Sequence, residues 1–384
     1  MKKKSEPTGP PQPVSGILEL LQNQEQGGYL RSPERNLSPR GDDPFVPGGL
    51  IRRMNLRPGC MIEAQAGPPR SAKRRNPVVV SIETIDGEEA HRALRRPRFE
   101  EFISIDPEER FRLEEADRDL SLRVVDLIAP VGKGQRGLFV APPRSGKTVL
   151  LQKIAASISQ THPDTHLMVL LIDERPEEVT EWRRTIDGEV FWSSSDEDAA
   201  NHVRVAELVL HRARRLVEAG QDVLILLDSL TRLGRAYNLE TRASGRTLSG
   251  GVDAKSLARP KSLFGTARNV EGGGSLSILA TVLIETGSRM DQVIFEEFKG
   301  TGNMEIVLSR QLADRRVYPA IDLNLSGTRK EEKLLGPDAI RQVTAIRRVL
   351  NRIDPVRGME MLLDKMGATE DNREFLDTFD PKSA

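Results

Sequence analysis

Ala141-Pro142-Pro143-Arg144-Ser145-Gly146-Lys147-Thr148 fits the pattern GxxxxGK[ST] at every position but the first, where alanine stands for glycine. The flanks suit it: Gly137–Val140 reads as a short buried strand and Thr148–Ser159 as a helical run. A loop of this kind turns its backbone N–H groups, with a helix N-terminus behind them, toward an anion. In that arrangement Lys147 reaches the β- and γ-phosphates of ATP and the Thr148 hydroxyl ligates Mg²⁺. The expected nucleotide contacts are therefore Pro143, Arg144, Ser145, Gly146, Lys147, Thr148 and Val149. The competing reading is an ordinary strand–turn–helix, but SGKT in this setting has few other uses. The alanine is a real departure at a position that need only permit the turn.

Outward from the loop, near-continuous apolar runs alternate with helical ones. Leu167–Ile172, Val223–Leu227, Ser275–Ile284 and Glu305–Leu308 read as strands, and Arg204–Ala219 as a helix ending at Gly220. That texture predicts a parallel sheet covered on both faces. Asp228 closes the run Val223–Leu227, giving the second Mg²⁺-side carboxylate such a site requires at the end of a neighbouring strand. Asp173-Glu174-Arg175 closes Leu167–Ile172, and Glu174 there is placed to activate the attacking water. Its bland alternative is a surface acidic cluster, since Glu177 and Glu178 follow at once.

The N-terminal third has another texture. Met1–Pro13 is polar and expected to be a disordered tail, and 14–85 holds short alternating runs broken by Gly/Pro turns. Ile17–Leu21, Tyr29–Arg31, Leu50–Met54, Met61–Ala64 and Pro77–Ile85 predict a small all-β barrel or sandwich. Residues 86–120 turn charged and lose periodicity, as a linker does, and 121–384 form the α/β domain. Over the whole chain, Lys+Arg and Asp+Glu both number 57, which excludes a global polycation, so nucleic-acid contacts must come from locally segregated charge. One cysteine, Cys60, excludes an internal disulfide, and the five histidines show no metal-ligand spacing. Apolar runs fall far short of the ~20 residues of a membrane helix, and no signal peptide opens the chain, so a cytoplasmic protein without membrane contact is expected.

The words APPRSGKT, LLIDERPEEVTEW, LLDSLTRLGRAYN, GGVDAKSLARPKSLFGTARNVEGGGS and FKGTGNME occur in this order. Together they closely resemble the Rho family of bacterial transcription termination factors, from about Val124 to Arg329 and more loosely through GILELLQ and LIRRMNLRPG. The resemblance implies a RecA-like P-loop ATPase core behind an OB-fold, cold-shock-like domain. It further implies a homohexameric ring that hydrolyses ATP with Mg²⁺, pulls single-stranded RNA 5′ to 3′ and acts on the RNA polymerase elongation complex. By the same resemblance Lys147, Asp228 and Glu174 are the P-loop lysine, the Mg²⁺-side aspartate and the catalytic glutamate. Arg175 resembles an interface arginine, Arg316 contacts the γ-phosphate, and Tyr318 packs on adenine. Arg329 looks like the arginine finger supplied by the adjacent subunit. Taken alone, each arginine reads as a surface ion pair.

RNA contacts are expected in two sets. Thr241–Asp253, with Arg246 and Thr247, and Thr286–Gln292, with Arg289, resemble the loops that grip RNA in the central pore, and Lys299 belongs to the same region by resemblance. Amides, hydroxyls and a cation suit backbone contacts that read no sequence. In the β-rich domain, Tyr29, Arg31 and Phe45 match the primary RNA surface. Arg52, Arg53 and Lys73-Arg74-Arg75 add local positive charge. Two departures weaken stacking there: Gly27 and Arg75 stand where the family carries aromatics. Trp182 and Trp192 read as packing residues, Cys60 as an inert thiol, and His202 and His211 as helix decoration. A RecA-like DNA recombinase and an RNA-binding module with a vestigial P-loop are the alternatives; RNA against single-stranded DNA as ATPase activator separates the first, and any ATPase activity removes the second.

Overall fold

Alternation of inward and outward side chains builds the first of two compact units. This computed structural model describes residues 10–21, 26–69, 75–115, 119–241 and 249–379. Strands β1 (Gln12–Leu20), β2 (Gly28–Arg31), β3 (Phe45–Val46), β4 (Met61–Gly67), β5 (Val78–Ile85) and β6 (Glu88–Glu89) form one sheet. Their order is β3-β2-β1-β4-β5-β6, and a further pairing of β3 with β5 closes a small barrel. In β4 the residues Ile62, Ala64 and Ala66 point inward while Glu63 faces solvent. Ile62 and Ala64 join Leu18, Leu30, Val46, Val79 and Ile85 in the barrel core.

Several sequence expectations need correction here. Leu50–Met54 is not a strand: α1 (Gly48–Arg53) occupies it. Leu50, Ile51 and Met54 are spaced for one helical face, and the first two are buried. The stretch 86–120 is not an open linker, for α2 (Ala90–Ala93) sends Ala90 and Ala93 into the barrel core and Phe99 is 1% exposed. Further along, Phe111 and Leu113 are fully buried in the second unit. Such isolated anchors leave no periodicity to read. His211 is no surface ornament either, since burial, then the charges of Arg214 and Arg215, push its pKa down to about 4. Strand β1 also begins at Gln12, inside the stretch expected to be a tail. Cys60 is buried, and burial first, then the charge of Asp86, pushes its thiol up to about 11, in keeping with inertness.

The second unit comprises Ile103–Val203, Asp222–Glu271 and the chain from Ser275 on; Arg204–Gln221 and Gly272–Gly274 belong to the first. In chain order its elements are β7 (Ser104–Ile105), α3 (Leu120–Ile128), β8 (Arg136–Ala141), α4 (Lys147–Thr161), β9 (His166–Glu174), α5 (Pro176–Thr185) and β10 (Glu189–Ser194). Then follow α6 (Ala199–Glu218, mostly in the first unit), β11 (Asp222–Asp228), α7 (Leu230–Glu240), α8 (Ala258–Phe264), β12 (Arg268–Val270), β13 (Ser275–Leu283) and α9 (Arg289–Lys299). The rest is β14 (Met304–Val307), α10 (Arg310–Asp314), β15 (Gly327–Thr328), α11 (Glu332–Leu350), α12 (Pro355–Gly367) and α13 (Asn372–Asp377). The sheet runs β10-β9-β11-β13-β8-β14-β15, parallel from β10 to β14, with β12 and β7 on one end of β13. Residues such as Val169, Leu171, Leu224, Leu226 and Leu279 are buried, as both-face coverage demands. His202, 7% exposed, bonds Ser193 Oγ through Nδ1 at 2.7 Å rather than facing solvent. Trp182 is core.

Arg123 on α3 staples the C-terminal helices to this core. It is 2% exposed and donates to the carbonyls of Met366 (2.7 Å), Thr369 (2.8 Å) and Asp371 (2.6 Å) and to the Thr369 hydroxyl (2.8 Å).

Candidate active site

The functional side chains gather where the parallel strands end, because each strand delivers its last residues to the same edge of the sheet. Strand β8 runs into the loop 142–146, and α4 starts at Lys147 behind its N-cap, Gly146. Gly146 has φ +88°, a conformation that disfavours a side chain, and a Cβ there would sit 3.3 Å from Tyr318 Cε1. The Tyr318 ring thus lies against the loop and remains 45% exposed. Val149, on the first turn of α4, is 56% exposed. Ser145 is buried and its hydroxyl donates to the Pro142 carbonyl at 2.8 Å, closing the loop on itself, while Pro143 and Arg144 face outward.

Beneath the loop lies a charged cluster. Lys147 Nζ is hydrogen-bonded to Asp228 at the end of β11 and stands 3.9 Å from Glu174 at the end of β9. Arg232, one turn into α7, is 3.2 Å from Glu174 and donates to the Asp173 carbonyl. The other Asp228 oxygen accepts from the Thr281 hydroxyl at 2.8 Å. Burial first, then the like charge of Asp228, raise the Glu174 carboxyl to about 8, against the opposing pull of Lys147 and Arg232. A buried carboxylate of raised pKa beside an anion-binding loop is chemically suited to proton abstraction. Sequence reading placed Asp228 on a strand adjacent to β8; the sheet instead inserts β13 between them, and Thr281 on that strand orients the carboxylate. Arg232 and Thr281 were missed. Arg232 lies within the quoted word LLDSLTRLGRAYN, a helical turn past Asp228, and that spacing is the signal that could have found it.

The three remaining arginines fall in different places. Arg175 caps α5 directly after Glu174 and is exposed. Arg316 is exposed with φ +61°, two residues before Tyr318. Arg329 is not at this site at all. Its N–H donates to the Asn303 carbonyl, at the end of the sheet where β14 begins opposite Gly137. From Arg136 to Ala141, β8 spans about 16 Å at ~3.3 Å per residue, too far for Arg329 to reach the loop of its own chain.

The described end of the first loop expected to meet RNA lies against the second. A Cβ on Gly250 would lie 2.8 Å from the Arg289 backbone, so the segment 249–251 rests directly on the start of α9. Asp291, 1% exposed, takes a two-pronged ion pair from Arg235 (2.7 and 2.6 Å) and a hydroxyl bond from Thr286 (2.6 Å), which fixes the second loop. Arg246 and Thr247 lie outside the described residues. Lys299 is at the far end of α9 from Arg289, about 15 Å away at ~1.5 Å per residue, and its Nζ lies 5.6 Å from the Phe295 ring centre.

In the barrel, the Tyr29 and Phe45 rings meet edge-on with centroids 5.4 Å apart, and the Phe45 ring leans over Gly27. Arg31 lies 4.9 Å from the Tyr29 ring centre, 8% exposed and ion-paired with both Glu19 and Asp43. Its charge is satisfied from within, so Arg31 holds the aromatic pair in place and is no free phosphate clamp. Trp192 is half-buried under Arg183, 4.7 Å from its guanidinium carbon.

Residues 121–328 match the ATP synthase alpha/beta family, nucleotide-binding domain, and residues 14–91 match the Rho termination factor, RNA-binding domain. Transcription termination factor Rho 1 of Ehrlichia chaffeensis is 50% identical over 368 residues, covering 94% of this chain and 86% of that protein. Transcription termination factor Rho of Cereibacter sphaeroides is 51% identical over 366 residues, with 94% and 86% covered. That of Pseudomonas aeruginosa is 49% identical over 370 residues, with 96% and 88% covered. An ATPase from the type III secretion system of pathogenic bacteria superimposes with TM-score 0.57 at 23% identity over 72% of this chain and 85% of its own, a likeness of fold alone. The RecA-like P-loop core and the OB-type barrel expected from sequence are both present.

Proposed function

The chain belongs to the Rho family of transcription termination factors, and from that premise we propose how its residues carry out termination. It is an RNA-dependent ATPase whose barrel domain binds single-stranded RNA and whose P-loop domain hydrolyses ATP. The observation that carries this reading is Lys147, at the start of α4, drawn to Glu174 and Asp228 at the ends of the parallel strands β9 and β11 beside the loop that follows β8.

Lys147 leaves Asp228 for the β/γ-phosphates when nucleotide enters. Glu174, tuned by Arg232, accepts the proton of the attacking water. Tyr318 and Val149 offer exposed apolar faces to the base and ribose, and Arg316 and Arg175 supply positive charge at the phosphate end. The donor set fits Mg²⁺: Thr148 and Asp228 offer hard oxygens, and no group of three or more His, Cys, Asp or Glu among the described residues could cage a metal unaided. Such a site suits an ion that draws the rest of its shell from phosphates and water. When bound, the ion offsets charge on the phosphoryl oxygens.

Arg329 lies at the opposite end of β8 from the loop, which supports a site completed by a neighbouring copy. We place the chain in a homohexameric ring whose subunits each lend Arg329 to the next. The loops joined at Gly250 and Arg289 face the RNA, and their movement on hydrolysis draws the strand 5′ to 3′ toward the RNA polymerase elongation complex. No helix among the described residues is long and apolar enough to cross a membrane, and a cytoplasmic location accords with the function. Phosphate release with RNA, with single-stranded DNA and with neither tests the reading. Stimulation by RNA, lost in Lys147→Ala while RNA binding persists, is the expected result; full activity in Lys147→Ala refutes the site.

A further inference from the structure

We propose that Asn303 is a positioning residue that aims Arg329 at the neighbouring protomer's nucleotide and ties it to β8, whose far end carries this protomer's own P-loop. The inference rests on the reading of Arg329 as acting between subunits.

Asn303 is a crossing point of hydrogen bonds. Its carbonyl accepts the Arg329 N–H at 2.9 Å and its own N–H donates to the Arg136 carbonyl at 3.0 Å. Its side-chain Oδ1 accepts the Arg136 N–H at 2.9 Å and Gln135 Nε2 at 2.6 Å. Gln135 is 1% exposed, and its side-chain Oε1 accepts from the Gly132 N–H at 3.2 Å. Gln135 and the first residue of β8, Arg136, therefore grip both the backbone and the side chain of Asn303, and Asn303 grips Arg329. The neighbouring Thr328 is pinned as well, opposite Met304 in the β14–β15 pair and with its hydroxyl on the Pro130 carbonyl at 2.8 Å.

The head of Arg329 is treated differently from its base. Its exposed guanidinium has no hydrogen bond or ion pair among the described residues. Behind it, the Arg136 guanidinium donates to the carbonyls of Thr301 (3.1 Å) and Ala267 (2.9 Å) and forms no ion pair among the described residues. Burial first, then the like charges of Arg268 and Arg329, hold Arg136 below the usual guanidinium range. A fixed base with an exposed, unpartnered head is what a residue reaching for a partner's phosphate requires, and small misplacement of such a group is costly in rate. A displacement of the P-loop strand is also passed to Arg329 through the Asn303 contacts, so that one nucleotide site senses the next.

Mixed rings test this. Lys147→Ala protomers keep an intact Arg329 but lack a working P-loop, and Arg329→Ala protomers are the reverse; mixing them should restore ATPase activity at composite sites. If the mixture stays inactive, the trans reading of Arg329 fails, whatever Asn303 does. With that control active, Asn303→Ala is added to the Lys147→Ala protomer, the donor of Arg329. The restored kcat should fall on the order of tenfold with KM for ATP unchanged, whereas the same substitution in the Arg329→Ala protomer should cost far less. Asn303→Asp, which keeps the accepting oxygen, should recover most of the rate. Should Asn303→Ala fail to assemble, Gln135→Met removes the Oδ1 contact from the other side and is put through the same comparison. Equal losses in either protomer, or no loss in the donor, overturn the proposal.

Discussion

Removal of Arg232 should change the pH at which the enzyme works rather than simply its speed. The guanidinium stands 3.2 Å from Glu174, whose pKa is about 8 because burial and Asp228 outweigh Lys147 and Arg232. An opposite charge at this range lowers a carboxyl pKa by roughly 1–3. The Arg232 side chain is 26% exposed, so solvent screens it and the low end applies, about one pH unit. Glu174 must be unprotonated to act as base, and kcat/KM reports the free enzyme. In Arg232→Ala the acidic limb of kcat/KM for ATP, measured with saturating RNA, should therefore move upward by about one pH unit. Activity at neutral pH should fall about tenfold while the two profiles converge at high pH. Arg232→Lys should return most of the limb. A uniform loss at every pH with an unmoved limb refutes the reasoning and would mean that Arg232 acts on the phosphates instead.

The same carboxyl burdens stability. A folded-state pKa of about 8 against an ordinary 4.5 makes a contribution that is present below 4.5 and lost as pH rises through 8. Nucleotide-free Glu174→Gln should thus melt above the wild type at alkaline pH, with the gap closing toward pH ~5, as calorimetry across pH will show. Arg123→Ala should cost at least about 3 kcal/mol in denaturant unfolding, since it strips charge-assisted bonds from several buried carbonyls at once. Tyr29→Ala should weaken single-stranded RNA binding by about 1–3 kcal/mol, read by titration at fixed salt, with the basal ATPase rate unmoved.

Strong local signals made the catalytic edge legible. A strand, a loop of the pattern GxxxxGK[ST] and a helix are fixed by adjacent residues, and β8 and α4 begin and end within two residues of expectation. Asp228 and Glu174 could be found because each ends an apolar run. Thr281 could not be assigned in the same way, since its meaning arises only when β13 slides between β8 and β11, and the spacing that marks Arg232 does not by itself show that α7 brings it to Glu174. The barrel was harder. Its strands are short, α1 hides among them, and Arg31 looks like an RNA contact until Glu19 and Asp43 are seen to consume its charge. Phe99, Phe111 and Leu113 show why the middle of the chain passed for a linker: single anchors hold it down without a repeating pattern. The distance from Arg329 to its own P-loop is a property of strand register, which no local word encodes.

The most direct measurement of the central claim is RNA-stimulated phosphate release per protomer as the protein is diluted, with assembly mass followed in the same samples. A site shared between copies predicts that specific activity collapses in step with the loss of the assembly. Full turnover by isolated protomers would contradict the account.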